Sequence, residues 1–110
     1  MDRDYKITFP KPIQAIDEFD SRVSIQENCF QINTQMHDTW VGGHINPGST
    51  KSYTLSNAKT KTAVEVISNV DHGPFYICAW KLAFCPEPMI EFDIKSGESF
   101  TWNRTYKFKK

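Results

Sequence analysis

The sequence predicts an all-β fold: a small antiparallel β-sandwich of jelly-roll or Greek-key type, or a flattened barrel, with about eight to ten strands. Three observations predict it. Apolar and polar residues alternate along most of the chain, the alternating stretches are short, and glycine, proline and asparagine turns separate them. At 110 residues, with 39% hydrophobic and 14% aromatic residues, the composition is that of one globular domain. We therefore expect a single domain over residues 1–110.

The first half of the chain predicts five short strands separated by turn residues. They are Tyr5–Phe9, Val23–Ile25, Phe30–Ile32, Lys51–Leu55 and Ala63–Ser68. Pro10 and Pro12 end the first strand because proline cannot donate a hydrogen bond to a ladder, and Glu27-Asn28 turns the second strand into the third. Residues 13–20 have too few apolar positions for a stable helix, so they predict one turn or a loop.

The second half predicts a central strand and two further ones. Residues 75–84 are apolar at successive positions, which is typical of a strand buried on both faces, with Trp80 in the core. Cys78 and Cys85 would then be too far apart along one strand to bond each other. Residues 90–94 alternate apolar with acidic side chains and predict another strand. A turn at residues 95–97 leads into a last long strand that carries Phe100, Trp102, Tyr106 and Phe108, and Trp102, like Trp80, is expected in the core.

One turn pattern occurs twice. Residues 45–53 and residues 94–102 both follow the order Ile-x-x-Gly-x-Ser/Thr-x-Ser/Thr-aromatic, in which a strand ends, glycine turns the chain and a new strand begins. The first copy resembles turns of the aegerolysins, a family of small lipid-binding β-sandwiches, and of many carbohydrate-binding modules. The resemblance implies a β-sandwich with a binding function, and it assigns no site residue.

Charge and hydropathy exclude several partners. The 13 basic and 13 acidic residues cancel, so no overall field attracts nucleic acid or an anionic membrane, and we expect no nucleic-acid partner. The lysines at 107, 109 and 110 are typical of a solubilised edge strand.

No stretch has the length of a membrane span or the apolar core of a signal peptide, so the default compartment is the cytoplasm. A mature secreted chain, or one exported without a leader, would show the same sequence features.

The segment from His37 to His44 carries the most chemistry-bearing residues. Trp40 lies between the two histidines on a polar, glycine-containing stretch that predicts a loop. An exposed indole offers an apolar plate for the C–H face of a pyranose, while His37, Asp38, His44 and Asn46 could bond its hydroxyl groups. The alternative is that Trp40 packs inward, as tryptophan does on average. The leading hypothesis is lectin-like carbohydrate binding at these five residues.

Three other functions stay open. The chain could bind lipid head groups at a membrane surface, or act as a protein-interaction or assembly subunit, including one that associates with itself. A Cys–His hydrolase would need a thiol beside a histidine, and we expect no enzyme because Cys78 lies in the most apolar segment, where burial suppresses the thiolate. His37 and His44 lie seven residues apart, which matches no zinc pattern, so no metal or cofactor is expected.

Overall fold

Two antiparallel sheets of unequal width form the structure, a computed structural model that describes residues 4–110. The wide sheet has six strands in the order β10-β7-β6-β1-β4-β3, and the narrow sheet has four in the order β2-β5-β8-β9. The strands are β1 (Tyr5–Thr8), β2 (Gln14–Ala15), β3 (Val23–Gln26), β4 (Cys29–Ile32), β5 (Val41–Asn46), β6 (Thr50–Asn57), β7 (Thr62–His72), β8 (Phe75–Trp80), β9 (Ala83–Pro88) and β10 (Arg104–Lys109). The predicted all-β sandwich is confirmed. The described residues contain no helix, and therefore none that could cross a membrane.

Five of these strands lie where the alternation predicts them. The predicted strands of the first half correspond to β1, β3, β4, β6 and β7. The turn between β3 and β4 places Glu27 at a positive φ of 51°, and Asn28 beside it donates a side-chain hydrogen bond to the Phe9 carbonyl at 2.8 Å. Residues 13–20 form no helix, as predicted, although Gln14–Ala15 pairs briefly with β5.

Aromatic rings join the two sheets. Phe75 of β8 is fully buried in the narrow sheet, and its ring meets Phe9 and Tyr53 of the wide-sheet side edge to face, both at 5.1 Å. Further along, Phe84 of β9 packs against Phe30 of β4 at 6.1 Å. Because large rings bury much area per residue, a few of them supply most of the contact between the sheets.

The predicted central strand over residues 75–84 is wrong, because the chain reverses there. Lys81 and Leu82 form a turn, and β8 and β9 pair as a hairpin. Neither turn residue has a positive φ, so the turn requires no glycine or asparagine that would signal it in the sequence. The hairpin also sets Cys78 and Cys85 directly opposite each other on neighbouring strands. The expectation that these cysteines lie far apart is therefore wrong as well.

The predicted strand over residues 90–94 and the first part of the predicted last strand are also absent. Residues 89–103 form an irregular connection, and β10 begins only at Arg104. Alternation allows a strand, but a strand also needs a neighbour for its backbone hydrogen bonds. Within this connection Phe92 stacks on Phe100 at 4.7 Å, and Trp102 lies beside both rings. Trp102 is exposed, so its predicted place in the core is wrong.

The wide sheet extends past the narrow one at its β10 edge. Tyr106 and Phe108 share a face with Val66 and Val64, their partners on β7, and Val66 lies in the core. Yet Tyr106 is 53% exposed and Phe108 is 82% exposed. The inner face of β10 is therefore uncovered.

The side chain of His72 lies inside the core without a hydrogen bond. His72 is 2% exposed, its ring meets Phe75 at 5.5 Å and Tyr53 at 6.1 Å, and neither ring nitrogen has a partner. Burial lowers the pKa of His72 below its ordinary value of 6.5, and the charge of Arg104 lowers it further, against a smaller opposing effect of Asp71. The imidazole is therefore held neutral in the fold.

This burial predicts a stability that depends on pH. Around and below pH 6.5 the unfolded chain binds a proton at His72 more readily than the folded chain does, so the free energy of unfolding falls as the pH drops within the range of about 7 to 5. We expect His72→Leu to flatten this dependence in urea unfolding measured across that range, while His37→Gln, at an exposed position, preserves it. An unchanged slope in His72→Leu would show that other groups cause the dependence.

Candidate ligand-binding face

The outer face of the narrow sheet carries a row of aromatic and polar side chains. Inward residues of β5 and β8 are buried in the core, and the residues between them point away from it. These outward positions are Gly42, His44 and Asn46 on β5, and Tyr76, Cys78 and Trp80 on β8. Trp40, immediately before β5, completes the row at one end.

Trp40 forms a half-exposed plate on this face. Its ring stacks on Trp80 with centroids 5.0 Å apart and planes 17° from parallel, and its side chain is 52% exposed. Because one side of the indole lies against Trp80, a single flat apolar surface remains for a ligand. That surface is large enough for one ring-shaped group.

Hydrogen bonds from Arg22 hold the backbone beneath the plate. The Arg22 guanidinium donates to the carbonyl oxygens of Thr39 at 2.8 Å and Trp40 at 3.0 Å. Asp20 fixes that guanidinium through a fork of hydrogen bonds between 2.8 and 3.2 Å, and this contact lowers the Asp20 pKa. Met36, fully buried, anchors the start of the same loop. The plate is thus held in place before any ligand arrives.

His44 and Asp17 form a polar pair farther along the face. Asp17 Oδ2 accepts hydrogen bonds from the His44 backbone N–H at 2.8 Å and lies 2.7 Å from His44 Nδ1. These bonds lower the pKa of Asp17, so its carboxylate is ionised and accepts, and Nδ1 must donate. The other ring nitrogen, Nε2, is therefore the one available to a ligand.

The Tyr76 side chain lies over Gly42, which is between the Trp40 plate and His44 in the chain. A Cβ at Gly42 would come within 2.7 Å of the Tyr76 hydroxyl oxygen, so only glycine lets the phenol lie over β5 at this point. The Tyr76 and His44 rings are 5.0 Å apart. Glu87, opposite Tyr76 on β9, shares this outer face and is exposed. Hydroxyl, imidazole and carboxylate groups thus lie on the same outer face as the apolar plate.

The predicted loop is wrong for its second half, because Val41–Asn46 form strand β5. Of the five predicted site residues, His37, Asp38 and Trp40 precede this strand, whereas His44 and Asn46 lie in it. Trp40 and His44 both lie on this face. Asp38 pairs with Lys81 at 2.7 Å, close to the tryptophan stack. His37 is exposed in the loop, and its carbonyl accepts a hydrogen bond from the Lys81 backbone. Asn46 uses its side-chain oxygen to bond the Gly48 backbone at 2.9 Å, which stabilises the following turn.

Three residues of this face do not follow from the sequence pattern. Trp80 is predicted as core because both faces of its segment look buried, yet it supports Trp40 on the outer face. Asp17 pairs with a histidine 27 residues away, which no local spacing encodes. For Tyr76 there is a weak signal, since Tyr76, Cys78 and Trp80 alternate with the purely aliphatic and phenyl side chains of the other face.

Two of the three thiols have a raised pKa. Burial raises the pKa of Cys29, and burial together with Cys85 and Glu87 raises the pKa of Cys78 to about 11. A thiol with a raised pKa is almost fully protonated at neutral pH. Among residues 4–110, no three His, Cys, Asp or Glu side chains cluster closely enough to hold a metal ion.

Comparison of the chain with protein-family models, with curated proteins and with solved structures finds no match.

The exposure of Trp40 predicts a mild effect of its removal on stability. We expect Trp40→Ala to fold and to lose about 1 kcal/mol of unfolding free energy, the contribution of one aromatic stack. Phe75→Ala, the core control, should lose about 3–5 kcal/mol. Urea unfolding measures both, and the far-ultraviolet circular dichroism couplet of the stacked indoles should vanish in Trp40→Ala. A loss in Trp40→Ala as large as in Phe75→Ala would place Trp40 in the core.

Proposed function

We propose that the protein is a lectin-like carbohydrate-binding module and that one pyranose ring stacks on the exposed face of Trp40. The observation that carries the proposal is the Trp40–Trp80 stack, which leaves a half-exposed indole on a backbone fixed by Arg22. An aromatic plate bordered by hydrogen-bonding groups is the arrangement that sugar recognition requires, because a pyranose has an apolar face and a hydroxyl rim.

The spacing of the groups favours a short oligosaccharide. His44 follows Trp40 by four residues in extended chain, which corresponds to about 13 Å along the sheet. A ligand with one ring on Trp40 would reach the Tyr76 hydroxyl and His44 Nε2 with the hydroxyl groups of its next units. Since Trp40 is the one exposed aromatic ring on this face of the described chain, we expect recognition of a chain end rather than of a flat polysaccharide surface.

Direct measurement of binding tests the proposal. The labelled protein is applied to an array of terminal mono- and oligosaccharides, and the affinity for the strongest sugar is then measured by titration calorimetry. We expect Trp40→Ala to weaken binding at least tenfold, equal to about 1.4 kcal/mol. Asp17→Ala should weaken it less, because His44 loses its orientation but stays on the face.

Trp102→Ala is the matched control, since Trp102 is also exposed, at 44%, but lies in the β9–β10 connection. It should bind the sugar as the unaltered protein does. If no sugar binds up to about 1 mM, or if Trp102→Ala loses binding equally, the proposal is wrong.

Vesicles of phosphatidylcholine test the lipid alternative. Vesicle binding that depends on Trp40, without sugar binding, would overturn the carbohydrate assignment.

A further inference from the structure

Exposed hydrophobic side chains concentrate far from the tryptophan plate. Of the nine large hydrophobic side chains that are exposed in residues 4–110, six lie between residues 89 and 108. They are Met89, Phe92, Ile94, Trp102, Tyr106 and Phe108. Scattered single residues need no explanation, but six on one connection and one edge strand do.

β10 is the free edge of the wide sheet. It is the terminal strand in the order of that sheet, so one side of its backbone has no strand partner among residues 4–110. Its inner face presents Tyr106 and Phe108, and its outer face presents Lys107 and Lys109. Beside Phe108, a cleft of about 410 Å³ opens against Tyr5, Leu55 and Val64. The edge therefore fits an added strand that is apolar on one face and acidic on the other.

Residues 90–94 have that pattern. Their order is Ile-Glu-Phe-Asp-Ile, which alternates apolar and acidic side chains as a strand would, yet they have no strand partner, and residues 91–94 are all exposed. In one antiparallel register between residues 90–94 and β10, the acidic residues lie opposite lysines and the apolar residues lie opposite aromatic residues. This register places in opposition the pairs Glu91 and Lys109, Phe92 and Phe108, Asp93 and Lys107, and Ile94 and Tyr106.

We propose that residues 90–94 of one copy form a strand that adds antiparallel to β10 of a second copy. The charges select this pairing over the pairing of two β10 strands, which would bring lysines from both copies together. Glu65 of β7 neutralises only part of the lysine charge, through its contact with Lys109 at 3.4 Å. Backbone hydrogen bonds complete the edge of the sheet, and Phe92 covers Phe108 at the mouth of the cleft.

Charge-reversal variants test this pairing in the whole chain. Sedimentation velocity from about 1 µM to 1 mM should show the unaltered protein associating with itself, more weakly at high salt. E91K/D93K and K107E/K109E should each weaken self-association at least tenfold. E18K/E98K is the control; it makes the same change in charge at exposed positions outside the register and should associate normally.

Mixing the two variants gives the sharpest result. In a mixed complex, each reversed segment meets a partner of opposite charge, so an equimolar mixture of E91K/D93K and K107E/K109E should associate although neither does alone. Failure of the mixture to associate, or a monomeric unaltered protein at every concentration, overturns the proposal. A variant with all four substitutions tests pairing within one copy. If it is monomeric and has a higher thermal stability than either double variant, residues 90–94 pair with β10 of their own chain and the proposal is overturned.

Circular dichroism of each variant controls for folding, since K107E places a carboxylate opposite Glu65. If K107E/K109E unfolds, E91K/D93K in the exposed connection decides alone: unchanged self-association of that variant overturns the proposal. The outcome is independent of the carbohydrate site, because none of the substituted residues lies on the tryptophan face.

Discussion

The structure depends on burial of the facing sides of two sheets that differ in width. The four-stranded sheet covers the six-stranded sheet but leaves the inner face of its β10 edge exposed, and Phe75 connects the two sheets through edge-to-face contacts with Phe9 and Tyr53. Burial of these rings drives association of the sheets because apolar area is removed from water. The same contact encloses His72 without a hydrogen bond, so the core includes one polar group whose charged form it excludes.

Unequal width leaves two surfaces with different properties. On the outer face of the narrow sheet, the Trp40 plate is fixed by two contacts. Its ring stacks on Trp80, and its backbone carbonyl accepts a hydrogen bond from Arg22. At the far edge of the wide sheet, β10 presents aromatic side chains that nothing in the described chain covers. A rigid plate beside polar groups suits a small ligand, whereas an open edge with alternating chemistry suits another strand.

Local patterns predict the local parts of this structure and not the pairings. Alternation locates β1, β3, β4, β6 and β7, because a strand with one buried face has a period of two in its own sequence. It misses the turn at Lys81-Leu82, where ordinary backbone angles leave no glycine signal. It cannot show which face of a segment is covered, so Trp80 is misplaced. Of the candidate site, Trp40 and His44 follow from the sequence, while Asp17 joins them only through tertiary structure.

The three tryptophans of the molecule can report separately on the two proposed recognition surfaces. Each indole N–H gives its own resonance in a nitrogen-15 correlation spectrum. Titration with the array-selected sugar should move the resonances of Trp40 and Trp80 and leave that of Trp102 unchanged. Dilution of the protein alone should move Trp102, which lies beside Phe92, and leave the other two unchanged. If the same resonances respond to sugar and to dilution, or if none responds to either, the molecule does not have two separate recognition surfaces.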